Sequence, residues 1–223
     1  MEGLFCWEPP TSYFPSQTIH LAIVDPGVGS SRSIVAIRTE NQVFIAPDNG
    51  VLTLILRDTR LEQAVWVTNP QYMLEPVSRT FHGRDVFAPA AAHLASGIDF
   101  ASLGSMADPR HLVRLPLERA GVSENGILAG SITHIDHFGN LVTDIDRHRL
   151  HHFIGGRSIT DVEIVVGDQV IRGVSESYSD AVPGRFLAVM GSREMLELAV
   201  NQGHAAERTG LKTGDRVFIR SVN

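Results

Sequence analysis

Apolar residues fall in short blocks along the chain, and their rhythm changes about halfway. In the first half the blocks are nearly continuous. Thr18–Asp25 (TIHLAIVD) is an apolar run ending in a turn, the pattern of a buried strand. Ser33–Arg38 and Gln42–Ala46 predict two more strands, joined by the polar link Thr39-Glu-Asn. Pro47-Asp-Asn-Gly breaks the pattern and predicts the cap of a helix over Val51–Arg57. Ala64–Thr68 (AVWVT) predicts a further strand. Asp85–Ala95 predicts a helix, with Asp85 as its cap, Pro89 near its first turn and Gly97 as its stop. Strands alternating with helices predict an α/β domain, a mixed sheet with flanking helices, over residues 1–118.

The second half has a different texture. Leu115–Gly126 contains Pro116, Gly121 and Gly126 and few apolar residues, and it reads as a linker, with residues 119–126 as its core. Short runs follow, separated by turn residues: Ile127–Ile135, Asn140–Ile145, Val162–Val166, Gln169–Gly173 and Phe186–Met190. Glu194–Asn201 predicts one helix among them, and Arg216–Arg220 (RVFIR) closes the series with clean alternation. Closely spaced short strands predict a small antiparallel β-barrel domain over residues 127–223.

Composition narrows the classes of function. At 223 residues the chain is long enough for one large domain, or for a medium and a small one, with a real core. The net charge is −6 and no basic cluster stands out, so a nucleic-acid or anionic-membrane partner is not expected. No apolar run approaches the roughly 18 residues of a membrane span. Cys6 is the single cysteine, which excludes an internal disulfide and makes a cytoplasmic setting the default expectation. The opening Met1-Glu-Gly has an acid and no basic region, unlike a signal peptide.

Three segments carry candidate chemistry. In Val24-Asp-Pro-Gly-Val-Gly-Ser-Ser-Arg32 a strand delivers Asp25 at its C-terminal end and a Gly-rich loop follows. Ligands of open α/β sheets bind at that edge. A tight turn capped by Asp25 is the other reading, and the loop taken alone favours it. The loop has neither GxGxxG spacing nor the Lys of a P-loop. Thr80-Phe-His-Gly-Arg-Asp85 places His82 just before a helix, as a base, a ligand or a plain loop residue. Ile135-Asp-His-Phe-Gly-Asn-Leu-Val-Thr143 is either a hairpin turn or a reader of a polar ring, with Asp136 and Asn140 as hydrogen-bonding groups and Phe138 as apolar contact. Ten histidines raise the question of a metal, but no HExxH or CxxC spacing appears. His148, His151 and His152 read as solvated surface, so no metal site is expected.

Together, VDPGVGSSR, PDNG, TFHGRDVFAPAAAHLASG, IDHFGNLVT and GSREMLELAVNQGHA resemble, in order, the motifs of the S-adenosylmethionine (SAM) hydroxide adenosyltransferases, relatives of the SAM-dependent fluorinase and chlorinase. The resemblance runs from about Tyr13 to the C-terminus. It implies an α/β domain followed by a β-barrel domain, a homotrimer, and SAM bound between subunits as substrate, with no cofactor. It implies an Asp25, Arg32 and His82 triad around the attacking water. It also implies substrate contacts by Asp25, Asp136, Phe138, Asn140 and Ser192, by the backbone near Val200, and by Tyr178 as an aromatic stacking on adenine. The halogenases have Tyr at the Asp25 position, Thr at the Val28 position and Tyr at the His82 position, so the resemblance implies hydroxide over halide.

Family members begin with a strand and loop like TTDFG, roughly fifty residues before the VDPGVG strand. That segment supplies a ribose-binding Asp. This chain starts after it, and Met1–Tyr13 resembles the end of the following helix. The resemblance therefore implies a longer natural protein, or ribose contacts supplied from elsewhere. The expected reaction is hydrolysis of SAM to adenosine and L-methionine by attack on the ribose 5′ carbon. An inactive SAM- or adenosine-binding protein and a SAM-dependent halogenase are the alternatives. Either Asp25 or His82 is the expected proton acceptor.

Overall fold

The computed structural model describes residues 14–117 and 119–222. The reading of Met1–Tyr13 as a helix end lies outside the described residues. The chain divides into two compact units, Met1–Pro116 and Leu117–Asn223.

The first unit holds strands β1 (Ile19–Leu21), β2 (Ile34–Thr39) and β3 (Val43–Pro47), helix α1 (Thr53–Asp58) and strand β4 (Leu61–Trp66). One π-helical turn, Gly83–Phe87, then runs into helix α2 (Ala88–Ala95). The strand order is β1-β3-β2-β4. The β1–β3 pair is parallel and the others antiparallel, so the sheet is mixed. Its central strands are buried on both faces, which is why they read as unbroken apolar runs. Alternation sorts the side chains. Val35, Ile37, Phe44 and Ala46 face Val51, Leu52 and Ile55 around α1. Ile34, Ala36, Val43 and Ile45 face Val86, Phe87 and Ala90 of the π turn and α2. The sheet thus has a helical layer on each side.

Three expectations need adjusting here. The run Thr18–Asp25 is regular strand only over Ile19–Leu21; its ladder with β3 ends with Ala22 N–H donating to the Ile45 carbonyl. Helix α1 starts at Thr53, two residues later than expected, and has no side-chain cap. Asn49 instead accepts from Val51 N–H and ties the turn to the segment after β1 by donating to the Val24 carbonyl. Asp85 does not cap its helix. The helix begins before it, and the buried carboxylate accepts from Ser78 N–H and from the Arg84 guanidinium.

The second unit holds β5 (Gly121–Val122), β6 (Leu128–Ile135), β7 (Leu141–Asp146), α3 (Arg147–Ile154), β8 (Val162–Val166) and β9 (Gln169–Arg172). It continues with β10 (Phe186–Met190), β11 (Met195–Val200), α4 (Ala205–Thr209) and β12 (Arg216–Ser221). The sheet runs β10-β11-β7-β6-β12-β8-β9, with β5 beside β6, and every pairing is antiparallel. A bridge between Ser175, just past β9, and Val189 in β10 brings the two ends together into a nearly closed barrel. One core fills it, including Leu128, Ile132, Leu141, Ile164, Leu198 and Ile219. Among the described residues no helix is long and apolar enough to cross a membrane.

Glu194–Asn201, expected as a helix, is strand β11. Its Met, Leu, Glu and Ala favour a helix intrinsically. Pairing with β10 on one side and β7 on the other overrides that preference. The period-2 signal is present in retrospect, since Leu196, Leu198 and Val200 all enter the core. Helix α3 is an element the hydrophobic pattern did not announce. Asp146 caps it through Arg149 N–H and Gly155, at φ 62°, ends it.

Candidate functional site

In the first unit the Gly-rich loop folds back on itself. Val28 N–H donates to the Asp25 carbonyl and Ser30 N–H to the Gly27 carbonyl, so two successive tight turns return the chain toward its start. Gly29 makes this route possible. Its φ is 77°, and a Cβ there would lie 2.4 Å from the Arg79 carbonyl oxygen. The result sets Arg32 against Asp25. Arg32 Nε donates to Asp25 Oδ1 at 2.9 Å and Oδ2 at 3.0 Å, and Nη2 also donates to Oδ2. Both side chains are largely buried, 10 % and 6 % exposed. Asp25 is therefore more than a turn cap: its backbone closes the turn while its carboxylate engages the guanidinium.

The same Arg32 Nη2 lies 2.8 Å from His82 Nδ1. An arginine only donates, so Nδ1 accepts. The neutral ring then carries its proton on Nε2. The segment presenting His82 is pinned by Asp85, whose carboxyl is held down at about 2 by the Arg84 guanidinium and by Ser78 N–H. The Phe87 ring lies 5.8 Å from the Arg32 guanidinium carbon. Asp25, Arg32 and His82, separated by up to 57 positions in sequence, thus form one connected set with Arg32 at its centre.

The second unit contains a cleft of about 760 Å³. It gathers Asp136, Phe138, Asn140, Tyr178, Ser192 and Val200, all six of the residues singled out from the sequence in this half. The Asp136–Asn140 turn is self-supporting. Asp136 Oδ1 accepts from Phe138 N–H and Asn140 N–H, and Oδ2 accepts from the Asn140 amide at 2.9 Å. Gly139, at φ 83°, lies flat against the His204 ring, where any Cβ would overlap the imidazole. This geometry leaves Phe138 74 % exposed at the rim. Asp136 therefore shapes the turn that presents Phe138 and Asn140. The turn reading and the ligand reading are compatible.

Sequence reasoning missed Glu176 and Glu197, which also line the cleft. Glu197 is 9 % exposed on β11 and accepts from the Tyr178 hydroxyl at 2.8 Å. An acid in the middle of an apolar strand was the available signal, hidden while the segment read as a helix. Burial, and then the neighbouring Glu197, push the Tyr178 phenol upward, so it stays the donor of this bond. The histidines at 148, 151 and 152 lie exposed on α3. Among the described residues no group of three or more His, Cys, Asp or Glu is placed to hold a metal.

Comparison with known proteins is consistent across both units. Residues 1–104 match the SAM hydroxide adenosyltransferase N-terminal domain and residues 130–218 its C-terminal domain. A protein of Salinispora tropica named (R)-S-adenosyl-L-methionine hydrolase is 36 % identical over 210 residues, covering 93 % of this chain and 76 % of its own. A fluorinase of Actinopolyspora mzabensis is 29 % identical, covering 93 % and 78 %. The crystal structure of a conserved protein from Thermotoga maritima superposes with a TM-score of 0.85 at 31 % identity, covering 98 % of this chain and 82 % of that one. The chain belongs to the SAM hydroxide adenosyltransferase family.

Proposed function

We propose that the protein hydrolyses SAM to adenosine and L-methionine. The observation that carries this reading is the bridged set Asp25–Arg32–His82. The name of the Salinispora relative supports it. In the reaction a water oxygen forms a bond to the ribose 5′ carbon while the carbon–sulfur bond breaks. The electron pair goes to sulfur, and methionine leaves as a neutral thioether. Such a leaving group needs no general acid and no metal. The demand on the protein is a positioned water that loses a proton, in line with the breaking bond.

The arrangement favours one division of roles. With Nδ1 accepting from Arg32, His82 has a proton on Nε2 and acts as a donor to the attacking oxygen. Asp25 is then the proton acceptor of the set. Arg32 holds both partners and favours the developing hydroxide. An acceptor of this kind contributes about 10²–10⁴-fold. The cleft holding Phe138, Asn140 and Tyr178 receives the nucleoside, and Ser192 and the Val200 backbone bound the same pocket. Asp25 and Asp136 complete the substrate contacts expected from the resemblance.

We extend the proposal to a cytoplasmic homotrimer with its site between subunits and no cofactor. Light scattering after gel filtration tests the trimer against the 24.4 kDa chain. Activity after exhaustive chelation tests the absence of a metal. The decisive assay incubates the protein with each sulfonium epimer of SAM, with and without halide. Adenosine and methionine, from the (R) form in particular and unchanged by halide, support the reading. A halogenated nucleoside, or no turnover with adenosine still bound, overturns it in favour of a halogenase or a binding protein.

A further inference from the structure

Glu197 has no part in the chemistry described above, yet it is a nearly buried carboxylate in the middle of a strand. Leu196, Leu198 and Val200 of β11 point into the barrel core, which places Glu197 on the opposite face, in the cleft. Its backbone is fixed on both sides, opposite Val189 in β10 and Val142 in β7. Its side chain is fixed as well. A Cβ on Gly191 would fall 1.8 Å from Glu197 Oε1, so a glycine there is what admits the carboxylate. The other oxygen, Oε2, accepts from the Tyr178 hydroxyl.

Tyr178 is held differently. The residue is 41 % exposed. It sits at the start of a single 3-10 turn, Tyr178–Asp180, whose backbone is secured by the Asp180 carboxylate accepting from Ser177 N–H and Glu176 N–H. Those bonds fix the main chain of the turn and do not involve the tyrosine side chain. The phenol–carboxylate bond is what ties the far end of the ring to the rigid barrel wall. A stacking surface is useful only when its plane is set before the ligand arrives, since ordering it afterwards costs affinity.

We propose that Glu197 is a positioning residue that fixes the Tyr178 ring as the aromatic wall of the nucleoside cleft. This rests on the reading of the cleft as the nucleoside site. Glu197 acts through Tyr178 and contributes to substrate affinity more than to the chemical step. Gly191 belongs to the same device, as the gap that lets the carboxylate lie flat against the strand.

The test uses the full chain and five proteins: wild type, Tyr178→Phe, Glu197→Ala, Glu197→Gln and the Tyr178→Phe/Glu197→Ala double variant. Steady-state SAM turnover and adenosine binding by calorimetry are measured on each, with Tm as a control. Tyr178→Phe keeps the ring and removes the tether. It is expected to raise KM for SAM and Kd for adenosine about five- to tenfold, the equivalent of one lost hydrogen bond of ordinary strength. The fall in kcat is expected to be smaller than the rise in KM. Glu197→Ala should show the same pattern, and the double variant no more than either single one, because both remove one bond. Glu197→Gln keeps an acceptor and should recover most of the affinity. If Tyr178→Phe and Glu197→Ala leave KM and Kd unchanged while wild type turns over SAM, the proposal is wrong. The same holds if their effects add independently. If wild type neither turns over SAM nor binds adenosine, the reading of the cleft itself fails, which is a separate result.

Discussion

Arg32→Lys tests the bridge at the centre of the proposed site. The substitution keeps the charge and most of the stem length but removes the planar fork. Arg32 uses two nitrogens to reach three acceptors, Asp25 Oδ1, Asp25 Oδ2 and His82 Nδ1. A lysine ammonium in the same space can stay paired with Asp25 but cannot also span to His82. At least two of the bonds are lost, one to the carboxylate and one to the imidazole. Bonds involving a charged group are worth about 1.5–3 kcal/mol each in mutational series. If the lower figure applies to both and the loss falls on the transition state, the barrier rises by about 3 kcal/mol and turnover falls about 10²-fold. KM should move less, because Asp25, the member of the set that also contacts the substrate, stays paired. Stability should also change little, since the Asp25–Arg32 ion pair becomes an Asp–Lys pair in the same place. Steady-state kinetics with a thermal melt distinguishes these effects. An Arg32→Lys protein within threefold of wild-type kcat would show that the bridging geometry is not used in the chemistry.

Other perturbations probe the surrounding structure. Gly29→Ala should cost about 1–2 kcal/mol for the left-handed backbone alone, plus the collision with the Arg79 carbonyl, and should lower both Tm and kcat because Asp25 and Arg32 sit at the two ends of that loop. A normal melt would refute the role given to the glycine. Asp136→Ala should weaken adenosine binding more than Asn140→Ala, because it releases Phe138 and Asn140 together; calorimetry showing the reverse order would mean that the turn keeps its shape unaided. Asp144 carries a carboxylate whose Oδ2 is buried without a hydrogen-bond partner, and burial raises its proton affinity above the ordinary carboxylate value. The penalty for ionising it in the fold is present above its folded pKa and disappears as pH falls through that value. Asp144→Asn should therefore raise Tm at pH 7, by about 2–4 °C for each kcal/mol relieved, and the advantage should vanish in acid. A variant no more stable than wild type at pH 7 would refute this.

What could be seen in the sequence follows from how each feature is encoded. The central strands of the mixed sheet were legible because two-sided burial leaves uninterrupted apolar runs. The barrel strands were legible because one-sided burial leaves alternation bounded by turns. β11 was not, because Met195-Leu-Glu-Leu-Ala-Val is locally suited to a helix and becomes a strand only through its neighbours β7 and β10. Helix α3 was hidden for the converse reason: its polar sequence has only Leu150, Phe153 and Ile154 to bury. Asp25, Arg32 and His82 could be nominated from motifs, but their connection through a single guanidinium needed coordinates. So did the pairing of Glu197 with Tyr178, which joins a strand to a 3-10 turn nineteen positions away.

The central claim is that water attacks the ribose 5′ carbon. Its most direct test is a single-turnover reaction with SAM in ¹⁸O-enriched water, with the products analysed by mass spectrometry. The account predicts one ¹⁸O in adenosine, located by fragmentation at the 5′ oxygen, and unlabelled methionine. Unlabelled adenosine, or homoserine lactone as product, would contradict it.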